Sequence, residues 1–323
     1  MALSSAGETR YMDKRELGLT GIRVSALALG TVELGLDYGI RFPEEKHIGH
    51  DEAIRLLEYA ADAGINLYDT APAYGNSQQL LGQALGSRQD CYIATKVAVP
   101  QEERSYLYGK KLEVAVNTSL EQSLKALKRK WLDIVQIHNA TAGVIGQGEM
   151  LEALLKARTK GMLRFIGATV YGEEDALAAI ELGCFDVIQV AYNLFDQRPK
   201  ENIFPATRCY GTGVIGRSAL LKGVLSQRAE QLPPPLSPLR EQAEEALKLV
   251  GGDWQALPQL ALRFCLSSED IDTVLIGASN IEELKAAIEA AEAGPLDAET
   301  LDKTQALAMN DERLLNPSNW PIL

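Results

Sequence analysis

Short apolar runs alternate along the chain with longer stretches whose apolar residues recur at helical spacing. The runs are Val24 to Leu29, Ile65 to Asp69, Cys91 to Lys96, Asp133 to His138, Leu163 to Ala168, Val187 to Val190, Gly213 to Ile215 and Thr273 to Ile276. Between them the pattern predicts helices over Asp51 to Ala60, Val114 to Lys128, Glu149 to Arg158, Ala176 to Leu182, Ile203 to Tyr210 and Pro258 to Cys265, with a last one over Ile281 to Ala291. Ser77 is suited to cap a further helix, with Leu80, Leu81 and Leu85 inward and Gly86 at its end. Eight such alternations predict a (β/α)8 TIM barrel more than a doubly wound sheet. The doubly wound competitor calls for a G-x-G-x-x-G turn after an early strand, and none follows Leu29 or Leu67. Pro233 to Pro235 and Pro238 interrupt the long interval before the eighth strand. Because the alternation resumes afterwards, this interval reads as an elaborated rim loop rather than a linker.

A closed parallel sheet delivers the C-terminal ends of all its strands to one rim. Asp69, Tyr74, Lys96 and His138 sit at or just beyond the ends of predicted strands, so the fold brings them to one pocket. A phenol beside an ammonium, with a carboxylate and an imidazole near, is an apparatus for moving one proton. The expectation is that Lys96 lowers the pKa of Tyr74 and that Asp69 keeps Lys96 charged. Each residue alone also has a structural reading, the tyrosine as loop packing and the aspartate as a cap. Their joint placement favours chemistry.

With 323 residues and 35.2 kDa, the chain can bury one large core or two smaller ones; the alternation favours a single domain over 1–323 with the barrel over about 22–295. A formal charge of −12 argues against a nucleic-acid partner. No apolar run reaches the length of a membrane span, and Met1 to Arg10 lacks the apolar core of a secretory signal. Cys91, Cys184, Cys209 and Cys265 form no close pair, which suggests reduced thiols in a cytoplasmic protein. With only His47, His50 and His138 present, a histidine-rich metal site is excluded, and His47 and His50 read as surface or loop residues.

The motifs together resemble the aldo-keto reductase superfamily, in its bacterial and plant-like soluble branch. They are Arg15-Glu16-Leu17-Gly18 through Ala28-Leu29-Gly30-Thr31, Gly64 to Ala71, Tyr74-Gly75-Asn76-Ser77, Ile93-Ala94-Thr95-Lys96 and Leu132 to His138. Ile166-Gly167-Ala168-Thr169, Gln189 through Asn193, and Ile276-Gly277-Ala278-Ser279 continue the series in order, from about residue 11 to 295. The resemblance implies a barrel that binds an extended nicotinamide cofactor across its rim, with a short N-terminal hairpin closing the bottom. It places the family's catalytic aspartate, tyrosine, lysine and histidine on Asp69, Tyr74, Lys96 and His138. Hydride would pass between the nicotinamide and an aldehyde, ketone or sugar carbonyl while Tyr74 serves as general acid or base.

For the cofactor, the resemblance implies Gly30, Thr31 and Asp69 on the wall, with Gln189 and Thr169 at the carboxamide and Asn193 assisting. Val170 stands where relatives carry asparagine. Arg217, Ser218 and Lys222 fall on the loop that covers the ring and pyrophosphate, and Gly277, Ser279 and Asn280 at the adenosine end. Residues 277–284 there contain no Lys or Arg but do contain Glu282 and Glu283. NADP(H) is thus the favoured cofactor by resemblance, with NAD(H) as the alternative. Glu33, Tyr38, Phe42, Asn139, Trp254 and Trp320 are candidate substrate or lid residues. The competing functional class is a catalytically weak nicotinamide-binding regulatory or redox-sensor subunit, like the family's potassium-channel-associated members. The sequence carries no signature of oligomeric state.

Overall fold

Leu27–Gly30 (β1), Leu67–Asp69 (β2), Tyr92–Ala98 (β3), Leu132–His138 (β4), Leu163–Thr169 (β5), Val187–Ala191 (β6), Gly213–Arg217 (β7) and Thr273–Gly277 (β8) form a closed barrel of parallel strands. Each strand pairs with its sequence neighbours, and β8 closes on β1 from Val274↔Leu27 to Gly277↔Gly30. The intervening helices are His50–Asp62 (α1), Ser77–Leu85 (α2), Gly109–Leu127 (α3), Glu149–Thr159 (α4), Glu173–Glu181 (α5), Ile203–Tyr210 (α6) and Leu257–Leu266 (α7), with Ile281–Glu292 (α8) after β8. This computed structural model describes residues 12–42, 44–103 and 105–320, so the expectation for Met1 to Arg10 lies outside the described residues. Among those described, no helix is long and apolar enough to cross a membrane.

All eight strands lie where the apolar runs predict them, but three local readings change. The run from Val24 to Leu29 is two strands, not one. Arg23–Ser25 pairs antiparallel with Lys14–Glu16, the chain bends at Ala26, and only Leu27 onward enters the barrel. Ser77 is the first residue of α2 rather than its cap: Asn76 holds the cap position, and the Ser77 hydroxyl bonds Thr70 Oγ1 at 2.7 Å. The proline-broken interval before β8 contains a regular helix, Ser237–Lys248, whose Leu239, Ala243 and Ala246 are buried. Pro238 is tolerated because it falls in the first turn, where no N–H is needed.

The hairpin of Lys14–Glu16 and Arg23–Ser25 plugs the N-terminal end. Leu17, Ile22 and Val24 pack against a ring of strand residues comprising Ala28, Leu67, Ala94, Ile134, Val187 and Ile215. Removing these apolar surfaces from water stabilises the closed end at about 25 cal/mol per Å². Side chains alternate faces along a strand, so the residues two further on point into the same interior. Those are Gly30, Asp69, Lys96, Gln136, Gln189 and Arg217. An apolar lower layer and a polar upper layer therefore follow from the period of two.

A repeated polar clasp joins the strands in pairs at the lower end. Asn66 Oδ1 accepts the N–H of Ser25 at 2.7 Å, and Asp133 Oδ2 that of Ile93 at 3.0 Å. Asp186 Oδ2 accepts from Ile166 and Asp272 Oδ2 from Val214, both at 2.8 Å. Each side chain lies at the start of an even-numbered strand and satisfies a backbone donor on or beside the odd-numbered strand before it. A buried N–H left without an acceptor is costly, so these short polar side chains suit the staggered strand starts. Asp272 also accepts the N–H of Gly18 at 3.1 Å, fastening the hairpin.

Candidate active site

At the C-terminal rim, Lys96 and Asp69 form a short ion pair, with their side chains 1% and 3% exposed. Lys96 Nζ also donates to the Thr70 carbonyl at 3.2 Å. The other carboxylate oxygen, Asp69 Oδ2, accepts from Gln136 Nε2 at 3.0 Å and from Gln189 Nε2 at 2.9 Å. A charge this deep persists only with such full pairing, because desolvation otherwise neutralises it. Lys96 Nζ lies 4.7 Å from the centre of the Tyr74 ring, and the Tyr74 and His138 rings meet edge to face with centroids 6.0 Å apart. The four residues read from the strand ends thus meet at one place. Lys96 is not terminal in its strand, however, since β3 continues to Ala98.

The electrostatics differ from expectation at Tyr74. Burial raises its phenol well above the ordinary range, and the Asp69 carboxylate raises it further. The lowering expected from Lys96, 4.7 Å from the ring centre and paired with Asp69, does not overcome these two effects. Burial pulls Lys96 below the ordinary lysine range, with Asp69 opposing. Burial, reinforced by the Lys96 charge, lowers His138 to about 4, so its imidazole is neutral at neutral pH.

One cleft runs from this group to Ser279. Its walls include Gly30, Thr31, Asn139, Thr169, Arg217, Ser218, Lys222 and Gly277 as well as the tetrad and Gln189. Thr31 Oγ1 donates to the Asp69 carbonyl at 2.9 Å, tying β1 to β2. Thr169 Oγ1 accepts the Asn139 N–H at 2.7 Å, and Asn139 itself is held at φ +54°. Glu33 and Tyr38 also border the cleft. Two predicted cofactor residues lie off its wall. Asn193 is buried, donating to the Ser218 carbonyl at 3.1 Å and accepting from Phe195 and Asp196, so it shapes the loop after β7. Asn280 caps α8 by accepting the Glu283 N–H at 2.8 Å.

Among the candidate rim residues, Phe42, Trp254 and Trp320 do not border this cleft. Trp254 packs on the core, whereas Trp320 is buried, donates its indole N–H to Leu314 at 2.9 Å and lies 5.8 Å from Lys222 Nζ. His47 and His50 occupy loop and helix-start positions as expected, with His50 against Asp51 and Gln83.

Three further residues beside the cleft have no role assigned from the sequence. Gln136 is an interior polar residue two positions before His138, which the strand period alone identifies. Tyr171 supplies a ring face 4.3 Å from the Arg217 guanidinium, which also donates to the Val170 carbonyl at 2.9 Å. Arg228 brings a cation to the far end of the cleft, where residues 277–284 contribute none. It bonds both Glu45 and Glu283 at 2.8 Å. Only tertiary folding joins these three segments.

The cleft fits a dinucleotide. Arg217 and Lys222 border it, and among the described residues neither has a carboxylate partner, although the protein carries 44 acidic residues against 32 basic ones. Lys222 instead lies 5.0 Å from the Tyr38 ring. Ser218, Leu221 and Lys222 all hold positive φ values (61°, 45° and 55°), a strained loop of the kind that lines ligand sites. Two cations without counter-charges beside such a backbone suit a diphosphate.

The family model for the aldo/keto reductase family matches residues 26–308. The chain belongs to the aldo/keto reductase family. It is 31% identical to L-galactose dehydrogenase of Arabidopsis thaliana over 95% of this chain and 98% of that one. It is 28% identical to the NADH-specific methylglyoxal reductase of Escherichia coli, covering 92% of this chain and 99% of the relative. Among solved structures, the holo form of aldo-keto reductase AKR11C1 from Bacillus halodurans superposes with a TM-score of 0.77 at 29% identity, covering 93% and 97% of the two chains. The protein is accordingly an NAD(P)-dependent oxidoreductase acting on small carbonyl compounds.

Proposed function

We propose that this single-barrel enzyme reduces an aldehyde, ketone or sugar carbonyl at the Tyr74 end of the cleft, with NAD(H) as its cofactor. The observation that carries the reading is the buried Lys96–Asp69 pair, whose ammonium lies 4.7 Å from the centre of the Tyr74 ring. A bound nicotinamide supplies the hydride. Tyr74 gives its proton to the carbonyl oxygen as the carbonyl carbon is reduced. Burial keeps the resting phenol protonated, the form that reduction consumes. Lys96 stabilises the phenolate left behind, and Asp69, Gln136 and Gln189 hold Lys96 in position. His138, neutral at the working pH, orients the carbonyl oxygen by hydrogen bonding.

The resemblance favours NADP(H), but the packing at the far end supports NAD(H). Glu283 Oε2 accepts both the N–H and the hydroxyl of Ser279, at 2.8 and 2.9 Å. An internal carboxylate therefore already holds the donors that a 2′-phosphate needs, and Arg228 is shared between two acids. The relative named as NADH-specific agrees in direction. The four cysteines are unpaired with one another, in keeping with a cytoplasmic setting.

Turnover of an aldehyde, ketone and aldose panel with NADH and with NADPH tests this reading. NADH should give the higher kcat/KM. Glu283→Gln should improve NADPH affinity by about tenfold, the worth of roughly one charge-assisted contact. Equal use of both cofactors by the unaltered enzyme, with no gain from the substitution, would overturn the NAD(H) reading.

A further inference from the structure

We propose that Glu33 is a cofactor-binding residue that works as a neutral carboxylic acid, taking up a proton from solvent as the dinucleotide enters the cleft. The proposal rests on the cofactor reading above and adds a group that the tetrad does not use. Glu33 follows β1 in the short helix Val32–Gly35 and borders the cleft. The residue as a whole is only partly buried, yet its Oε2 is shut off from solvent and has no hydrogen-bond partner. A structural carboxylate this enclosed is ordinarily paired, so an orphaned oxygen on a ligand-sized cleft marks an unmet contact.

The opposite strand end leaves room for this side chain by design of sequence. A Cβ added at Gly277 would stand 2.1 Å from Glu33 Oε1, so the carboxyl occupies the space that glycine leaves at the end of β8. It is thus pinned between β1 and β8. The charged groups facing it are Glu283, which disfavours its ionisation, and Arg228, which favours it, while Tyr38 is its titratable neighbour on the same loop. At Gly277, β8 offers only backbone. Arg228 is already held by Glu45 and Glu283 and does not reach Glu33 as a salt bridge.

Charge decides the form in which Glu33 meets the ligand. The cations that suit the diphosphate, Arg217 and Lys222, come from β7 and its following loop, whereas Glu33 comes from the segment after β1. An ionised carboxylate would repel the incoming diphosphate in a partly desolvated cleft. A protonated carboxyl instead offers an O–H donor to a phosphate or ribose oxygen and keeps a carbonyl acceptor for a ribose hydroxyl. Burial already raises Glu33 to about 7 in the free protein, so proton uptake is within reach at neutral pH.

The test is NADH affinity of the full chain by fluorescence between pH 6 and 8.5 at constant salt, for the unaltered protein and Glu33→Gln. NADH has no phosphate that titrates across this range. The unaltered protein should bind about tenfold more weakly at pH 8 than at pH 6. Glu33→Gln, which mimics the neutral acid, should bind with little pH dependence and about tenfold more tightly than the unaltered protein at pH 8. Calorimetry of the unaltered protein in buffers of different ionisation enthalpy supplies an independent readout, with uptake of about one proton at pH 8 and almost none at pH 6. A pH-invariant affinity, or the same dependence in both proteins, would overturn the role of Glu33 while leaving the cofactor reading intact. Failure of the unaltered protein to bind NADH at any pH would overturn both.

Discussion

Acidic side chains serve the two ends of this barrel differently. At the N-terminal end, Asp133, Asp186 and Asp272 each accept a backbone N–H from the neighbouring strand. At the C-terminal rim, Asp69 faces an ammonium and two side-chain amides, and the surroundings retain unused capacity at Gln136 Oε1 and Glu33 Oε2. The lower acids complete the fold's own hydrogen bonding. The upper one positions a charge beside a phenol that faces a cleft. Asp186 also meets Arg158 at 3.2 Å, so what separates the ends is that the lower acids close backbone hydrogen bonds away from the cleft, whereas Asp69 holds an ammonium beside it.

Breaking the upper pair should have the largest effect on stability. Lys96→Met leaves Asp69 buried without its cation and should cost about 3–5 kcal/mol in chemical denaturation, as well as abolishing turnover. A loss below about 1 kcal/mol would mean that the pair is far better solvated than its geometry implies. At the lower end, Asp272→Ala strips the acceptor from Gly18 and Val214 and should cost about 1–3 kcal/mol. Its kcat should remain unchanged at a temperature where the variant is folded, and a selective loss of kcat would erase the contrast between the two ends.

How much of this contrast is legible in the sequence depends on distance along the chain. The eight strands follow from β-branched runs bounded by helical patterns, and the tetrad from polar residues near their ends. Gln136 was equally accessible, because a glutamine inside Asp133 to His138 has no place on a fully apolar face. Arg228 and Glu45 were not, since only the folding of loops after β1 and β7 brings them to Glu283. Electrostatic direction is the least legible property. Lys96 near Tyr74 suggests a lowered phenol pKa, yet burial and Asp69 reverse it. The split at Ala26 was hidden because hairpin and barrel strands share one unbroken apolar run.

A smaller, pH-dependent effect sharpens the comparison at His138. Its folded pKa of about 4 lies below the ordinary value of 6.5, so the unfolded chain binds more protons between those values. The stability it contributes is therefore complete above about pH 6.5 and is lost as pH falls towards 4. Denaturation of the unaltered protein and His138→Gln should show this as a difference on the order of 1 kcal/mol that shrinks with acidification. A difference that grows on acidification would mean that His138 is charged in the folded state.

The central claim is that Tyr74, held protonated beside the Lys96–Asp69 pair, delivers the proton to the reduced carbonyl. Single-turnover oxidation of bound NADH by an aldehyde, followed by stopped-flow absorbance in the unaltered enzyme and in Tyr74→Phe, tests it most directly. Tyr74→Phe should keep NADH affinity unchanged and lower the rate constant by about 10²–10⁴, the range for a positioned acid. An equal rate in Tyr74→Phe with cofactor bound would contradict it.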